Sequence, residues 1–181
     1  MTHEEIIAHI CTLIDEVMPT STLPVPIDGF ADYAPIEDKI EALLPDCVRE
    51  VLLQSPLTEV PIKRVSLQTV GMTPDGGCLL AKPVDYLRLQ EVRLEGWRHA
   101  VRIVPGVESR AAMHQGNPHL RAGVCRPVAI DAGSEWRLYP SISTTVLLSY
   151  VADQPAASLP SHLQQAVCEV CAKKMRVSGE L

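Results

Sequence analysis

Aromatic residues are scarce in this chain, 4% of its 181 residues, with a single Phe and two Trp. That poverty argues against a stacking surface for single-stranded nucleic acid, which lays successive bases on aromatic faces. An excess of positive charge is missing as well. Sixteen Lys and Arg stand against 22 Asp and Glu, a formal net charge of −6. This balance argues against a generic, sequence-independent nucleic-acid binder, although it leaves room for local basic patches. No run approaches about 18 uncharged apolar residues, so nothing is expected to span a membrane. The opening Met-Thr-His-Glu-Glu is acidic and no basic stretch leads into an apolar one, so no secretory signal is expected. What the chain does have is 46% hydrophobic content, enough to fill a core and to exclude wholesale disorder. Its length suits one domain, residues 1–181, or one domain with a small appendage.

Familiar catalytic signatures are also lacking: no Gly-x-Gly-x-x-Gly, phosphate loop, His-Glu-x-x-His or Gly-x-Ser-x-Gly occurs. The expectation is therefore no enzyme, no catalytic residues, no cofactor and no bound metal. The six cysteines, Cys11, Cys47, Cys78, Cys125, Cys168 and Cys171, are expected to be buried free thiols rather than a disulfide framework. Cys168-Glu-Val-Cys171 has the spacing of a redox pair or half a zinc site. A redox pair would sit at a helix N-terminus, where the dipole lowers the thiol pKa, whereas this one falls in the middle of a late helix. A structural zinc needs two further ligands. The nearest candidates are His162 on the same helix and the distant Cys125, His114 and His119. Asp75 belongs to a turn, and Asp85, in a Pro-Val-Asp-Tyr corner, is expected to cap backbone N–H groups.

Thr2 followed by Glu5 reads as a capping box. Behind it Ile6, Ile10, Leu13 and Val17, flanked by Ile7 and Ile14, form one apolar stripe on a helix of about four turns. Pro19, Pro24, Pro26 and Pro35 then interrupt regular structure in a long connection anchored by Ile27, Phe30 and Tyr33. A second helix starts near Ile36 and keeps its period through Leu52, with a break or kink expected at Pro45. From Val60 the period becomes two. Strands are expected over 62–69, 78–81, 87–94, 97–104 (as the hairpin partner of 87–94), 124–130, 135–139 and 144–151. Pro105 to Gly123 interrupts this rhythm, as a functional loop or as a short helix around Ser109–His114. Leu159-Pro160-Ser161 opens a final helix, with Leu163, Val167 and Val170 on one face and Lys173, Lys174 and Arg176 at its C-terminal end. The expected fold is α+β: N-terminal helices (1–59) and a C-terminal helix (159–177) packed with an antiparallel β-sheet or small β-sandwich (60–155).

Charge is unevenly spread. Residues 1–59 carry twelve acidic residues against Lys39 and Arg49 alone, a net of −10. Residues 88–126 carry seven Arg against Glu91, Glu95 and Glu108, a net of +4. A solvated acidic face with strand-borne Arg pairing inside the fold accounts for this. So does a head-to-tail contact, in which the acidic helices of one subunit meet the arginine-rich β-part of the next.

The pieces in order resemble the head–tail adaptor (connector, neck or head-completion) proteins of tailed bacteriophages. Acidic helices come first, then KPVDYLRLQEVRLEGW at Lys82–Trp97, SRAAMHQGNPHLRAG at Ser109–Gly123 and RPVAI at Arg126–Ile130. Within Trp136–Met175 come a Leu-Tyr-Pro strand end, a strand closing in Ser-Tyr-Val and a Leu-Pro-x-x-Leu helix opening. The resemblance implies a structural protein made in the host bacterial cytoplasm and then carried in the virion neck. It implies a ring of its own copies, commonly about twelve, contacting the portal protein and a tail or stopper protein. DNA would pass through the channel without sequence-specific binding, and no membrane is involved. Arg110, His114, Asn117, His119 and Arg121 are the candidate subunit or portal contacts. Two other readings remain: a thiol- or metal-dependent enzyme or redox protein using Cys168 and Cys171 or the His114–Cys125 segment, and an interaction module with no viral connection.

Overall fold

A computed structural model of the chain describes residues 1–15, 36–101 and 103–179. The expected anchors Ile27, Phe30 and Tyr33, and Val17 on the first helical stripe, lie outside the described residues. The fold is α+β, and the chain divides into a helical unit, Met1–Val60 with Gln154–Leu181, and a β unit, Pro61–Asp153.

In the helical unit, α1 (His3–Asp15) begins with both halves of the capping box. The Thr2 N–H donates to Glu5 Oε2 at 2.8 Å and the Glu5 N–H to Thr2 Oγ1 at 3.3 Å, which satisfies two donors that the first turn cannot pair internally. Ile6, Ile10 and Ile14 are buried, while Ile7 and Leu13 flank them half-buried. The second helix, α2 (Ile36–Gln54), buries Ile40, Leu44, Cys47, Val48, Val51 and Leu52. The break expected at Pro45 is absent, because the helix runs through it. Proline removes one N–H and leaves the carbonyl of Glu41 unpartnered, but both residues are exposed and water can take that bond.

A longer helix follows at Ser161–Gly179, numbered α4 because a short α3 (Arg110–Met113) precedes it in the β unit. It packs on both α1 and α2 through Leu163, Val167, Cys168, Cys171 and Ala172. Two of its basic residues serve neighbouring helices. Lys174 Nζ lies 2.6 Å from Glu50 Oε2, and Arg176 Nη2 donates to the Leu13 carbonyl in the last turn of α1 at 2.7 Å, where a cation opposes the negative helix end. Gln164, buried on the same helix, donates to the carbonyls of Ala156 and Ala157.

The β unit contains two sheets. In the first, β8 (Thr145–Ala152) is central, with β1 (Lys63–Gln68) and β4 (Tyr86–Leu94) antiparallel on either side. In the second, the order is β2 (Gly71–Met72), β3 (Cys78–Ala81), β7 (Glu135–Tyr139), β6 (Val128–Asp131) and β5 (Ile103–Pro105). Because β5 runs parallel to β6, this sheet is mixed rather than antiparallel. The inward residues of both sheets share one core: Val92, Leu94, Val146 and Leu148 from the first meet Leu80, Trp136 and Leu138 from the second. The Tyr86 ring stands edge-on to Trp136, at 5.0 Å between centroids. This is a small sandwich.

The segment 97–104 is not the hairpin partner of β4. Gly96, at φ +89°, turns the chain, and Trp97 then drops into the core, donating its indole N–H to the Pro140 carbonyl at 3.0 Å. Only Val101 comes back to β4, bridging Val92, and the chain continues into the other sheet as β5. The strand expected from Val124 begins at Val128, after a turn closed by the Arg126 N–H on the Gly123 carbonyl. The Pro74-Asp75-Gly76-Gly77 turn is as expected, and Gly77 is there for space. A Cβ at this position would lie 2.5 Å from the Tyr139 ring and 2.7 Å from Thr73 Oγ1.

Candidate functional site

The segment 105–126 interrupts the strand order and holds all five candidate contacts. Ser109 caps a single helical turn, α3, its hydroxyl accepting the Ala112 N–H at 3.3 Å. A 3-10 turn, His114–Gly116, follows and stops at Asn117-Pro118. Asn117 Oδ1 accepts the His119 N–H at 3.0 Å, and the Asn117 carbonyl accepts the N–H groups of Leu120 and Arg121, which is Asx-turn chemistry. Gln115 holds these turns together. It is 4% exposed, donates to the Ala111 carbonyl at 2.7 Å and accepts the Ala122 N–H at 3.0 Å. The segment is therefore a short helix and two turns clamped by a buried amide, of the two forms open for Pro105–Gly123 the short-helix one.

The clamp leaves a cationic and apolar exterior. His114, His119 and Arg121 line one concavity of about 560 Å³, together with Arg126 and Cys125; Arg110 and Asn117 do not line it. Among the described residues no carboxylate lines this concavity. Glu108 is the sole acidic residue in 105–126, against Arg110, Arg121 and Arg126. Arg98 joins them, because its backbone N–H donates to the Val124 carbonyl at 3.1 Å. All four arginines are exposed, and none forms an ion pair among the described residues. Apolar side chains are exposed among them: Met113 at 66% and Leu120 at 55%. Arg121 also borders a second depression whose one acidic residue, Asp75, is already engaged by the Tyr139 hydroxyl at 2.8 Å. Burial raises the Asp75 pKa, but hydrogen bonds from Thr73 and Tyr139 outweigh it and hold the carboxyl below its ordinary value.

Sequence reasoning singled out the loop but missed Gln115, Leu120 and Arg126 in the lining of the concavity, and exposed Met113 and Arg98 as its neighbours along the chain and through the Val124 carbonyl. Arg98 and Arg126 were visible in the regional charge balance. The amide clamp was not, because an internal Gln has no distinguishing pattern before its partners are known.

The remaining candidates fall elsewhere. Asp85 does not act chiefly as a backbone cap. Its carboxylate accepts Lys63 Nζ at 2.6 Å and the Tyr150 hydroxyl at 2.8 Å, and these two bonds hold its pKa low. Cys125 departs from the expectation of burial: it is exposed, on the turn before β6, and Cys11 is half-buried. None of the six cysteines forms a disulfide among the described residues. Cys47, Cys168 and Cys171 are buried in the helical core, on the packed helices α2 and α4. Burial raises all three pKa values, that of Cys171 to about 12 with further upward contributions from its thiol neighbours. A thiol protonated that firmly is a poor nucleophile at neutral pH, which counts against the reading that uses Cys168 and Cys171. Among the described residues no three His, Cys, Asp or Glu side chains come together to hold a metal ion. Among them, too, no helix is long and apolar enough to cross a membrane. No protein-family model matches the chain, and no curated protein matches it.

Proposed function

We propose that this chain is a structural assembly protein, a head–tail connector of a tailed bacteriophage or prophage, acting as a ring between portal and tail. The single observation that supports this reading most is the clamped segment 105–126. It is a surface presenting exposed Met113 and Leu120 and arginines that, among the described residues, form no ion pair and share their concavity with no carboxylate. A charge left without a partner inside its fold is available to a partner outside it, and apolar residues interspersed with arginine are what contact surfaces use. The exposed carboxylates of α1 and α2, Glu4, Glu5, Glu37, Asp38 and Glu41, give the same chain a surface of opposite sign. The order of helices, strands and final helix is the layout on which the resemblance to such connectors rests.

In this role the protein works in the host cytoplasm during assembly and in the virion neck afterwards, with portal and tail or stopper proteins as neighbours. Nothing in the mechanism is catalytic. The fold holds a contact surface rigid, and the contacts determine order along the neck. Quantitative mass spectrometry of purified, DNA-filled particles tests it. The chain is expected at a low fixed number of copies per particle, about a dozen for a closed ring. Its absence from infectious particles would overturn the reading.

A further inference from the structure

We infer that the occupant of the arginine face is a second copy of this chain, docking through the acidic first turns of its α1–α2 pair. This inference rests on the connector reading and decides between the two contacts, subunit or portal, that it leaves open.

The occupant must bring carboxylates to Arg98, Arg110, Arg121 and Arg126, and an apolar group to Met113 and Leu120. The start of α2 offers both. Glu37, Asp38 and Glu41 are exposed there, with only Lys39 as a cation among residues 36–48. Ile36 beside them is 45% exposed. His3 Nε2 lies 3.7 Å from Glu41 Oε1, which places the first turn of α1, with exposed Glu4, at the same spot. Charge and apolar character therefore match on both sides.

The match also determines the kind of contact. Two arginine faces repel one another, as do two acidic ones, so the contact cannot be the same patch meeting itself about a two-fold axis. Unlike surfaces meet, and in the ring of the connector reading that contact is head-to-tail, with a rotation that closes. Repulsion between like surfaces adds specificity, because it disfavours every other pairing of the two patches.

The test is a charge swap in purified protein, read by sedimentation velocity across protein concentration at low and high salt. Wild-type chain should self-associate at low salt and dissociate as salt screens the contact. Arg110→Glu/Arg121→Glu should weaken self-association about tenfold or more, as for exposed pairs turned repulsive, and Glu37→Arg/Glu41→Arg should do the same. Mixing these two variants should restore assembly with one copy of each alternating, since each then meets an opposite surface. Restoration requires both variants to be folded, so it also controls for misfolding. A wild-type chain that stays monomeric at every concentration, or assembly untouched by either reversal, would overturn the inference and leave the face to the portal or another protein. Absence of the chain from particles would sink the connector reading instead, and the outcome of the swap would stand independently of it.

Discussion

The two units of this chain handle charge differently. In the helical unit the cations near the core have internal partners: Lys174 meets Glu50, and Arg176 donates to the end of α1. In the β unit two lysines do the same, Lys63 on Asp85 at 2.6 Å and Lys82 on Asp131 at 2.9 Å. The segment 105–126 does not. Its arginines extend into solvent from a backbone that Gln115 and Asn117 hold in place. Ordering a loop carries an entropic penalty, and here the ordered loop contributes little to the core. The contrast teaches that charges serving the fold are paired within it. On the proposed function, the arginines of segment 105–126 that lack an internal ion pair are where the molecule meets a partner.

This comparison can be broken or sharpened by experiment. The largest effect should come from Trp97→Ala, which empties a buried site and removes the bond to Pro140. A loss of about 3–5 kcal/mol is expected, and urea denaturation followed by amide exchange should place it in the β unit. Equal loss of protection in α1 and α4 would show that the two units do not respond separately. Gly77→Ala should be next, at about 1–3 kcal/mol, because the new Cβ collides with the Tyr139 ring. Chemical denaturation measures this, and an unchanged midpoint would mean that the turn relaxes freely.

Alkali should separate the units by their chemistry. The buried thiols of Cys47, Cys168 and Cys171 all have folded pKa values raised above the ordinary 9.0. The folded state therefore holds protons that the unfolded chain gives up, so their contribution is whole below pH 9.0 and declines above it, for Cys171 up to about 12. Each thiol contributes a slope of up to about 1.4 kcal/mol per pH unit. The β unit has one such thiol among the described residues, Cys78, raised by burial from 9.0, and Tyr86, Tyr139 and Tyr150 raised from 10.0, so just above pH 9.0 its slope is that of one thiol against three in the helical unit. Residue-resolved amide exchange across this range should show the helices loosening first. Cys171→Ala should flatten the slope, and a slope unchanged by that substitution would contradict the assignment. The smallest effect should be Thr2→Ala, which removes one half of the capping box and is expected to cost about 1 kcal/mol, read as faster exchange in the first turn of α1 alone.

Local features of the fold were legible in the sequence. The Thr2–Glu5 cap, the isoleucine stripe of α1, the Asp-Gly-Gly turn and the spans of β7 and β8 are written in neighbouring residues, and the structure follows them. Features that depend on distant partners were not. Trp97 leaves its expected strand for a carbonyl at Pro140, and β5 joins β6 in parallel because the chain has crossed to the other sheet. Pro45 misled for a different reason: an exposed proline can be tolerated in a helix whose buried face is intact. At the candidate face the positive charge was countable in advance. Which arginines share a surface was not, because that depends on the Gln115 clamp and on the Arg98–Val124 bond.

The most direct test of assembly through unlike surfaces uses the exposed thiol already on the arginine face. Cys125 is the only fully exposed cysteine among the described residues. A Glu37→Cys variant, mixed with isotopically labelled wild-type chain at low salt and treated with a short bis-maleimide, places the second thiol on the proposed partner surface. The account predicts cross-linked species joining labelled to unlabelled copies through residues 37 and 125, abolished by Arg110→Glu/Arg121→Glu. Finding only uncross-linked chain, or cross-links between two copies of residue 125, would contradict it.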